Sequence, residues 1–145
     1  MRTTVQDLLT KKGSRVITVS PTSTVYDAIQ TLATNNIGAV LVLDGSRLVG
    51  IVSERDYARQ VILKGKASKD TAVRDIMTTT VVSVLPEQSI GECMALMTEK
   101  RFRHLPVVVG GELLGILSVG DLMKALLDEQ AFKIEQLESY ISSGG

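Results

Sequence analysis

The residues best suited to chemistry lie in two Ser-x-x-Asp strings, Ser53 to Asp56 and Ser118 to Asp121. Each string follows an apolar run that predicts a buried strand and opens a predicted helix, where free backbone N–H groups favour an anion. A carboxylate at that point can accept hydrogen bonds from both hydroxyls of a cis-diol, while the serine and the main-chain donors can hold a phosphate. The two strings are therefore candidate binding sites for a small polar ligand.

The same strings could also serve a purely structural role. Ser-x-x-Asp resembles a capping box, in which the serine and the acid satisfy free N–H groups of the first helical turn. One occurrence alone would favour capping. Two occurrences at equivalent positions favour binding, and the two roles are compatible.

The equivalence of the two strings follows from an internal repeat, which a fixed spacing reveals. The run Val16 to Pro21 recurs as Val81 to Pro86 at an offset of 65, and the two Ser-x-x-Asp strings share that offset. Upstream, Val5 to Thr10 matches Val73 to Thr78 at an offset of 68, so the first copy has three extra residues within 11–15. We infer two tandem copies.

Hydrophobic periodicity and turn residues predict the order β-α-β-β-α in each copy. In the first copy the predicted elements are a strand at Val16–Val19, a helix capped by Thr24 and ending near Gly38, strands at Ala39–Leu43 and Leu48–Val52, and a helix from Ser53 to about Leu63. In the second copy they are a strand at Val81–Val84, a helix at Ser89–Glu99, strands at Leu105–Val109 and Glu112–Leu117, and a helix from Gly120.

The predicted fold class is α+β. One copy of about fifty residues is too small to bury its sheet alone, so we expect the two repeats to pack sheet to sheet with pseudo-twofold symmetry and to form two related clefts. The predicted domains are residues 1–65, residues 66–128 and a C-terminal helical extension at 129–145.

Composition excludes several function classes. Sixteen basic and sixteen acidic residues give a net charge of zero, and tryptophan is absent, which argues against nucleic acid as a partner. No long uncharged apolar run indicates a membrane segment, and one cysteine with one histidine cannot form a disulfide or a Cys/His metal site. We expect a cytoplasmic protein that binds no metal.

Motifs for catalysis are also lacking. The sequence has no P-loop, no Gly-x-Gly-x-x-Gly turn and no Gly-x-Ser-x-Gly string, and the single histidine has no evident nucleophile and acid around it. The two aspartates belong to separate clefts, so they do not form an acid and base pair. We expect no enzyme activity and no catalytic residue.

These features resemble a pair of CBS (cystathionine β-synthase) domains, together called a Bateman module. The resemblance rests on GIVSERDY at Gly50–Tyr57, RHLPV at Arg103–Val107 and DIMT at Asp75–Thr78, and it covers about residues 3–128. The long C-terminal helix is similar to that of stand-alone bacterial two-CBS proteins.

The resemblance implies a regulatory sensor of adenosine ligands, with no cofactor required. AMP, ADP, ATP, NAD or S-adenosylmethionine would bind in the clefts between the repeats, the closing aspartate would bond the ribose hydroxyls, and the preceding serine would reach phosphate. The signal would be a change of conformation or of oligomeric state. Two alternative functions stay open: a structural interaction module without ligand, and an enzyme such as a nucleotide hydrolase.

The remaining cleft residues come from the first strand and from the turn before the second. Backbone groups at Thr18 and Ser83 could read an adenine edge, and a small residue at the turn would allow close approach. Arg103 and His104 would add charge near a phosphate, so the two clefts should differ in ligand or affinity. The nucleotide-binding residues expected from these considerations are Thr18, Gly38, Ala39, Ser53, Arg55, Asp56, Ser83, Arg103, His104, Pro106, Ser118 and Asp121.

Three of these residues have alternative roles. Arg103 could pair with Glu99 on one helical face, His104 could be a packing residue, and Arg55 could be a surface residue.

The last predicted helix carries an apolar stripe that extends beyond the second repeat. The stripe favours packing against a second copy, and hence a homodimer, although the helix could instead fold back on its own core. With no effector domain in the sequence, we expect a further effector protein as partner. The stripe residues are Met123, Leu126, Leu127, Ile134, Leu137 and Ile141.

Overall fold

The computed structural model describes residues 3–13 and 16–144, with side chains through residue 142. The predicted three-residue insertion within 11–15 includes Ser14 and Arg15, which lie outside the described residues. In chain order the elements are α1 (Val5–Lys12), β1 (Thr18–Val19), α2 (Val25–Asn35), β2 (Ala39–Asp44), β3 (Arg47–Ser53), α3 (Glu54–Tyr57) followed by a π-helical turn (Ala58–Ile62), a 3-10 turn (Val73–Asp75), α4 (Ile90–Lys100), β4 (His104–Val109), β5 (Glu112–Ser118) and α5 (Val119–Gly144).

The α+β fold class is confirmed. Helices alternate with strands: β1, β2 and β3 are hydrogen-bonded neighbours in that order, and so are β5 and β4. Strand β1 pairs with β2 in parallel, and β2 pairs with β3 as an antiparallel hairpin. The hairpin turns at Gly45, whose φ of 66° is a conformation that glycine adopts without strain.

One predicted strand is reduced to a single bridge. Of the run Val81–Val84, only Val84 pairs, in parallel with Val107, and its N–H donates to the carbonyl of Pro106 at 2.9 Å. Extending a parallel ladder backwards from this point would need an N–H at residue 106, and proline has none. The first copy has Leu41 at the equivalent position, so β1 is longer than a single bridge.

The chain forms two compact units, and neither is continuous in sequence. The first-repeat unit consists of the described parts of Arg15–Val82 together with Val109–Leu113. The second-repeat unit consists of the described parts of Met1–Ser14, Ser83–Val108 and Leu114–Gly145. The segment that precedes each repeat in sequence thus belongs to the unit of the other repeat. The boundaries 1–65, 66–128 and 129–145 remain a prediction.

Each unit has its own apolar core, built by the predicted periodicity. Helix α2 begins at the N-cap Thr24, whose side chain accepts from the N–H of Asp27 at 3.1 Å, and it buries one face. The first-repeat core comprises Val25, Ala28, Leu32, Val40, Val42, Val52, Val61, Val73 and Ile76. In the second-repeat unit the buried residues include Val5, Leu9, Val84, Ile90, Cys93, Met97, Leu105, Val107, Leu117 and Leu122.

A buried glycine on each hairpin accepts the segment that precedes the other repeat. A Cβ on Gly50 would lie 2.6 Å from the sulfur of Met77 and 3.1 Å from the carbonyl oxygen of Thr78. A Cβ on Gly115 would lie 2.6 Å from a methyl group of Leu9. Glycine allows this close approach without displacing a neighbour, so the segments around Met77 and Leu9 lie directly on the strands that end in the Ser-x-x-Asp strings.

Helix α5 has a packed start and an exposed extension. Leu122 and Ala125 are buried, whereas every residue from 130 to 142 is exposed. Within the described residues, therefore, the extension does not fold back on its own core, which excludes that alternative. Across the described ranges, no helix combines the length and apolar character needed to cross a membrane.

Candidate functional site

The first Ser-x-x-Asp string forms a complete capping box at the end of β3. The N–H of Ser53 donates to Oδ2 of Asp56 at 2.9 Å, and the N–H of Asp56 donates to Oγ of Ser53 at 3.1 Å. The hydroxyl of Thr78 reaches the other carboxylate oxygen of Asp56 at 3.3 Å. The capping role is therefore confirmed, and it places a half-buried carboxylate at the point where the strand becomes a helix.

The second string repeats this cap and adds a cation. The N–H of Ser118 donates to Oδ2 of Asp121 at 2.8 Å, and the N–H of Asp121 donates to Oγ of Ser118 at 3.1 Å. Lys12, at the end of α1, places its ammonium 2.6 Å from the same Oδ2 and donates to the carbonyl of Ile116 at 2.9 Å. The carboxylate of the second repeat is thus neutralised by a lysine.

The environment of Asp121 keeps it ionised. Burial alone would raise its pKa, but the hydrogen bonds from Lys12 and Ser118, together with the charge of Lys12, outweigh burial, so the pKa lies below its usual value. A carboxylate of this kind can accept hydrogen bonds from a cis-diol at neutral pH.

The strand pairing brings the turn before each hairpin to the serine. Ala39 pairs directly with Ser53, and the N–H of Glu54 donates to the carbonyl of Gly38 at 3.1 Å. No atom lies within 4 Å of where a Cβ on Gly38 would be, so there is open space beside this backbone. Gly38 and Ala39 are therefore next to the first cap, with room for a ligand.

The second repeat uses equivalent backbone bonds. The N–H of Val119 donates to the carbonyl of Arg103 at 2.9 Å, which brings the turn at 103 beside the helix start at Ser118. Because helix α4 ends at Lys100, Arg103 does not lie on its face, which excludes the alternative of a helical pair with Glu99. Arg103 is exposed.

The pKa of His104 lies below its usual value. Burial lowers its pKa most, the charges of Lys12 and Arg103 lower it further, and Asp121 opposes them. The lowered pKa favours the neutral imidazole, which argues against the expectation that His104 adds positive charge. The charges that act on it place it in one cluster with Lys12, Arg103 and Asp121.

The first-strand residues lie next to the same elements. Thr18 pairs with Leu41, two residues along β2 from Ala39. In the second-repeat unit, Ser83 precedes Val84, the residue that is bonded to Pro106. The predicted residues thus fall into two groups, six within each unit.

The helix that follows each cap differs between the copies. Helix α3 has only four α-helical residues before the π-helical turn, whereas α5 has 26 residues. Of the two caps, the second therefore lies at the positive end of the longer α-helix. Arg55 is exposed in the first turn of α3.

Two residues at the caps were missed in the sequence. Lys12 and Thr78 both come from the paired segments around Val5–Thr10 and Val73–Thr78, whose offset of 68 was visible but carried no predicted role. The offset of 68 could have predicted a role for them, because two matched segments that precede equivalent repeats are expected to pack at equivalent places.

An open groove of about 540 Å³ lies elsewhere in the second-repeat unit, between the start of α4 and the middle of α5. None of the twelve predicted residues lines this groove. Within each cap, by contrast, a carboxylate and several hydrogen-bond donors lie together, which makes the caps the candidate binding sites.

Replacing Lys12 with methionine is expected to lower the free energy of unfolding at pH 7 by about 1 kcal/mol or less, since the ion pair is partly exposed. The pKa of Asp121 is lowered in the folded state, so its stabilising contribution is present above the unfolded pKa of about 4 and is lost as the pH falls through the folded pKa. The difference between wild type and variant should therefore shrink in acid. Urea unfolding at several pH values measures this difference in the free energy of unfolding. A difference that does not change with pH would contradict the ion pair between Lys12 and Asp121. Lys11→Met, on the exposed neighbour, is the control.

Comparisons with known proteins agree on one family. The family profile of the CBS domain matches residues 5–62 and again residues 73–128. The chain is 36% identical, over 98% of its length and 73% of the relative, to the mitochondrial CBS domain-containing protein CBSX3 of Arabidopsis thaliana.

Solved structures with CBS domains have the same fold. A protein with CBS domains from Burkholderia ambifaria matches with a TM-score of 0.79 and 51% identity, over 88% of this chain and 96% of that chain. The structure of CBSX2 in complex with AMP matches with a TM-score of 0.75 and 30% identity, over 88% of this chain and 98% of that chain. With two family matches that span most of its length, this chain belongs to the CBS-domain family as a protein with two CBS domains.

Proposed function

We propose that this chain is a regulatory module that binds adenine nucleotides (AMP, ADP or ATP) or NAD at two sites, one at Asp56 and one at Asp121. It responds by a change of conformation or of oligomeric state and has no enzyme activity. The observation that carries the proposal is the occurrence of the same Ser-Asp geometry in both units, with an ionised carboxylate in the second. The AMP bound to the related CBSX2 supports this ligand class.

Each site would use its carboxylate for the sugar and its serine and backbone N–H groups for the phosphate. In the second-repeat unit, the ribose hydroxyls would replace the ammonium of Lys12 on Asp121, and the freed ammonium and Arg103 would then face the phosphate. In the first-repeat unit the described partners of the Asp56 carboxylate are neutral donors, namely Ser53 and the hydroxyl of Thr78. The site at Asp121 therefore prefers ligands with more phosphate charge.

The proposal includes a cytoplasmic location, a homodimer and an effector protein that reads the state of the module. No cofactor is needed for folding. Nucleic acid and membrane are not partners, which the zero net charge supports.

A thermal-unfolding screen tests the ligand class. The protein is heated alone and with AMP, ADP, ATP, NAD, NADH or S-adenosylmethionine, with GMP as the matched control for phosphate and ribose. A ligand at 100 times its dissociation constant adds about 2.7 kcal/mol, which raises the melting temperature by about 5–10 °C for a chain of this size. A shift with at least one adenosine ligand, smaller with GMP, is expected. Equal melting temperatures throughout would refute the proposal.

A structural interaction module is the second candidate, and the complete capping boxes favour it because both aspartates already have partners without a ligand. It predicts that replacing Asp56 or Asp121 alters stability alone.

A further inference from the structure

The exposed extension of α5 carries a coiled-coil pattern. Apolar residues recur every three and four positions along one side of the helix, which is the spacing of a and d positions in a heptad. With Leu127 at a, the seam consists of Met123, Leu127, Gln130, Ile134, Leu137 and Ile141. We call these six residues the α5 seam.

The α5 seam is open to solvent. Leu127, Leu137 and Ile141 are between 63% and 69% exposed, and Ile134 is 54% exposed. The buried face of α5 within its own unit is formed by Leu122 and Ala125, while Gln130 and Lys133 line the open groove beside α4. Within the described residues, the apolar seam side chains from Leu127 to Ile141 are therefore left exposed.

The flanking charges indicate what covers the seam. In this register Lys133 is a g position and Glu138 is the e position of the next heptad. When two parallel copies pair, g of one helix meets the following e of the other, so Lys133 of one copy faces Glu138 of the second copy twice per dimer. In an antiparallel pair, g faces g and e faces e, and this match is lost.

The residues at the a and d positions also favour a parallel dimer. The a positions Leu127, Ile134 and Ile141 include two β-branched residues, and the d position Leu137 is leucine, which is the combination that favours parallel dimers. Gln130 at d is polar and disfavours other registers, since a shift would bury it against an apolar residue.

We propose that the α5 seam binds the same seam of a second copy as a parallel two-stranded coiled coil. This inference rests on the homodimer of the proposed function and specifies its surface and orientation. The seam spans only about two heptads from Leu127 to Ile141, so the dimer is expected to be weak and concentration-dependent.

The first test compares two neighbouring apolar residues by sedimentation equilibrium of the full chain. Ile134→Ser removes a seam residue, while Phe132→Ser is the matched control, since Phe132 is 52% exposed and lies on the opposite side of the helix. Ile134→Ser should raise the dissociation constant at least about 100-fold and Phe132→Ser should leave it nearly unchanged. Both variants should keep the wild-type circular dichroism. Equal effects of the two substitutions on the dissociation constant would contradict the α5 seam as the dimer interface.

The second test checks orientation by charge reversal. Lys133→Glu and Glu138→Lys should each weaken the homodimer about tenfold, since both contacts become repulsive, and the double variant should recover it. A mixture of the two single variants should form heterodimers in preference to homodimers. If the charge changes leave the dissociation constant of the dimer unchanged, the coiled coil is wrong but the homodimer is not contradicted. If the wild type stays monomeric up to sub-millimolar concentration, both are wrong.

Discussion

Replacing Asp121 with alanine is expected to abolish one of two AMP-binding events. The carboxylate is the acceptor proposed for both ribose hydroxyls, and two hydrogen bonds to a charged group are worth enough to weaken this site about 100-fold. In isothermal titration calorimetry the apparent stoichiometry at moderate AMP concentration should fall from two per chain to one. Asp56→Ala should remove the other event instead.

The control for this prediction must separate capping from binding. In Asp121→Asn an amide oxygen can still accept from the N–H of Ser118, which preserves the cap, but the negative charge is lost. We expect near-normal stability with weakened binding, because a neutral amide is a poorer acceptor for two hydroxyls. If Asp121→Asn and Asp121→Ala both bind AMP as the wild type does, the aspartate is only a cap.

Replacing Gly50 with valine is expected to lower the free energy of unfolding by about 3 kcal/mol, through overpacking against Met77 and the backbone carbonyl of Thr78. For a chain of this size the melting temperature should fall by about 6–12 °C. Because Ile51 and Thr78 exchange two backbone hydrogen bonds of 2.9 Å, the displacement should also pull the Thr78 hydroxyl away from Asp56 and weaken the first site. Differential scanning calorimetry measures the first effect.

Gly115→Val is the matched comparison in the second copy. The three atoms nearest to its new Cβ all belong to the side chain of Leu9, which can move more easily than a backbone carbonyl, so a smaller loss of stability is expected. If Gly115→Val proves as costly as Gly50→Val, the backbone contact at Thr78 is not what limits the substitution.

Much of this architecture could be predicted from the sequence because the repeat presents each helix, strand and turn pattern twice. Thr24 and Asn36 bound the first long helix as capping residues should, and the Asp44-Gly45 turn produced the expected hairpin. The predicted strand at Val81–Val84 is wrong because Pro106, on the neighbouring strand, has no N–H to donate. The periodicity of the run Val81–Val84 gives no information about its neighbour.

The candidate site was predictable only in part, for a related reason. Local patterns located both serines and both aspartates, since each cap is built from residues three positions apart. Lys12 could not be found in this way, because it meets Asp121 only after α1 has packed into the second-repeat unit. The lowered pKa of His104 likewise depends on burial and on neighbouring charges, which spacing does not reveal.

A crystal structure of the chain grown with saturating AMP tests most directly whether Asp56 and Asp121 bind ribose. We expect two nucleotides per chain, each with its ribose hydroxyls within hydrogen-bond distance of one of these carboxylates, and with the ammonium of Lys12 moved from Asp121 towards the phosphate. Crystals with no nucleotide, or with AMP bound elsewhere while both capping boxes and the Lys12–Asp121 pair remain intact, would contradict ribose binding by these two aspartates.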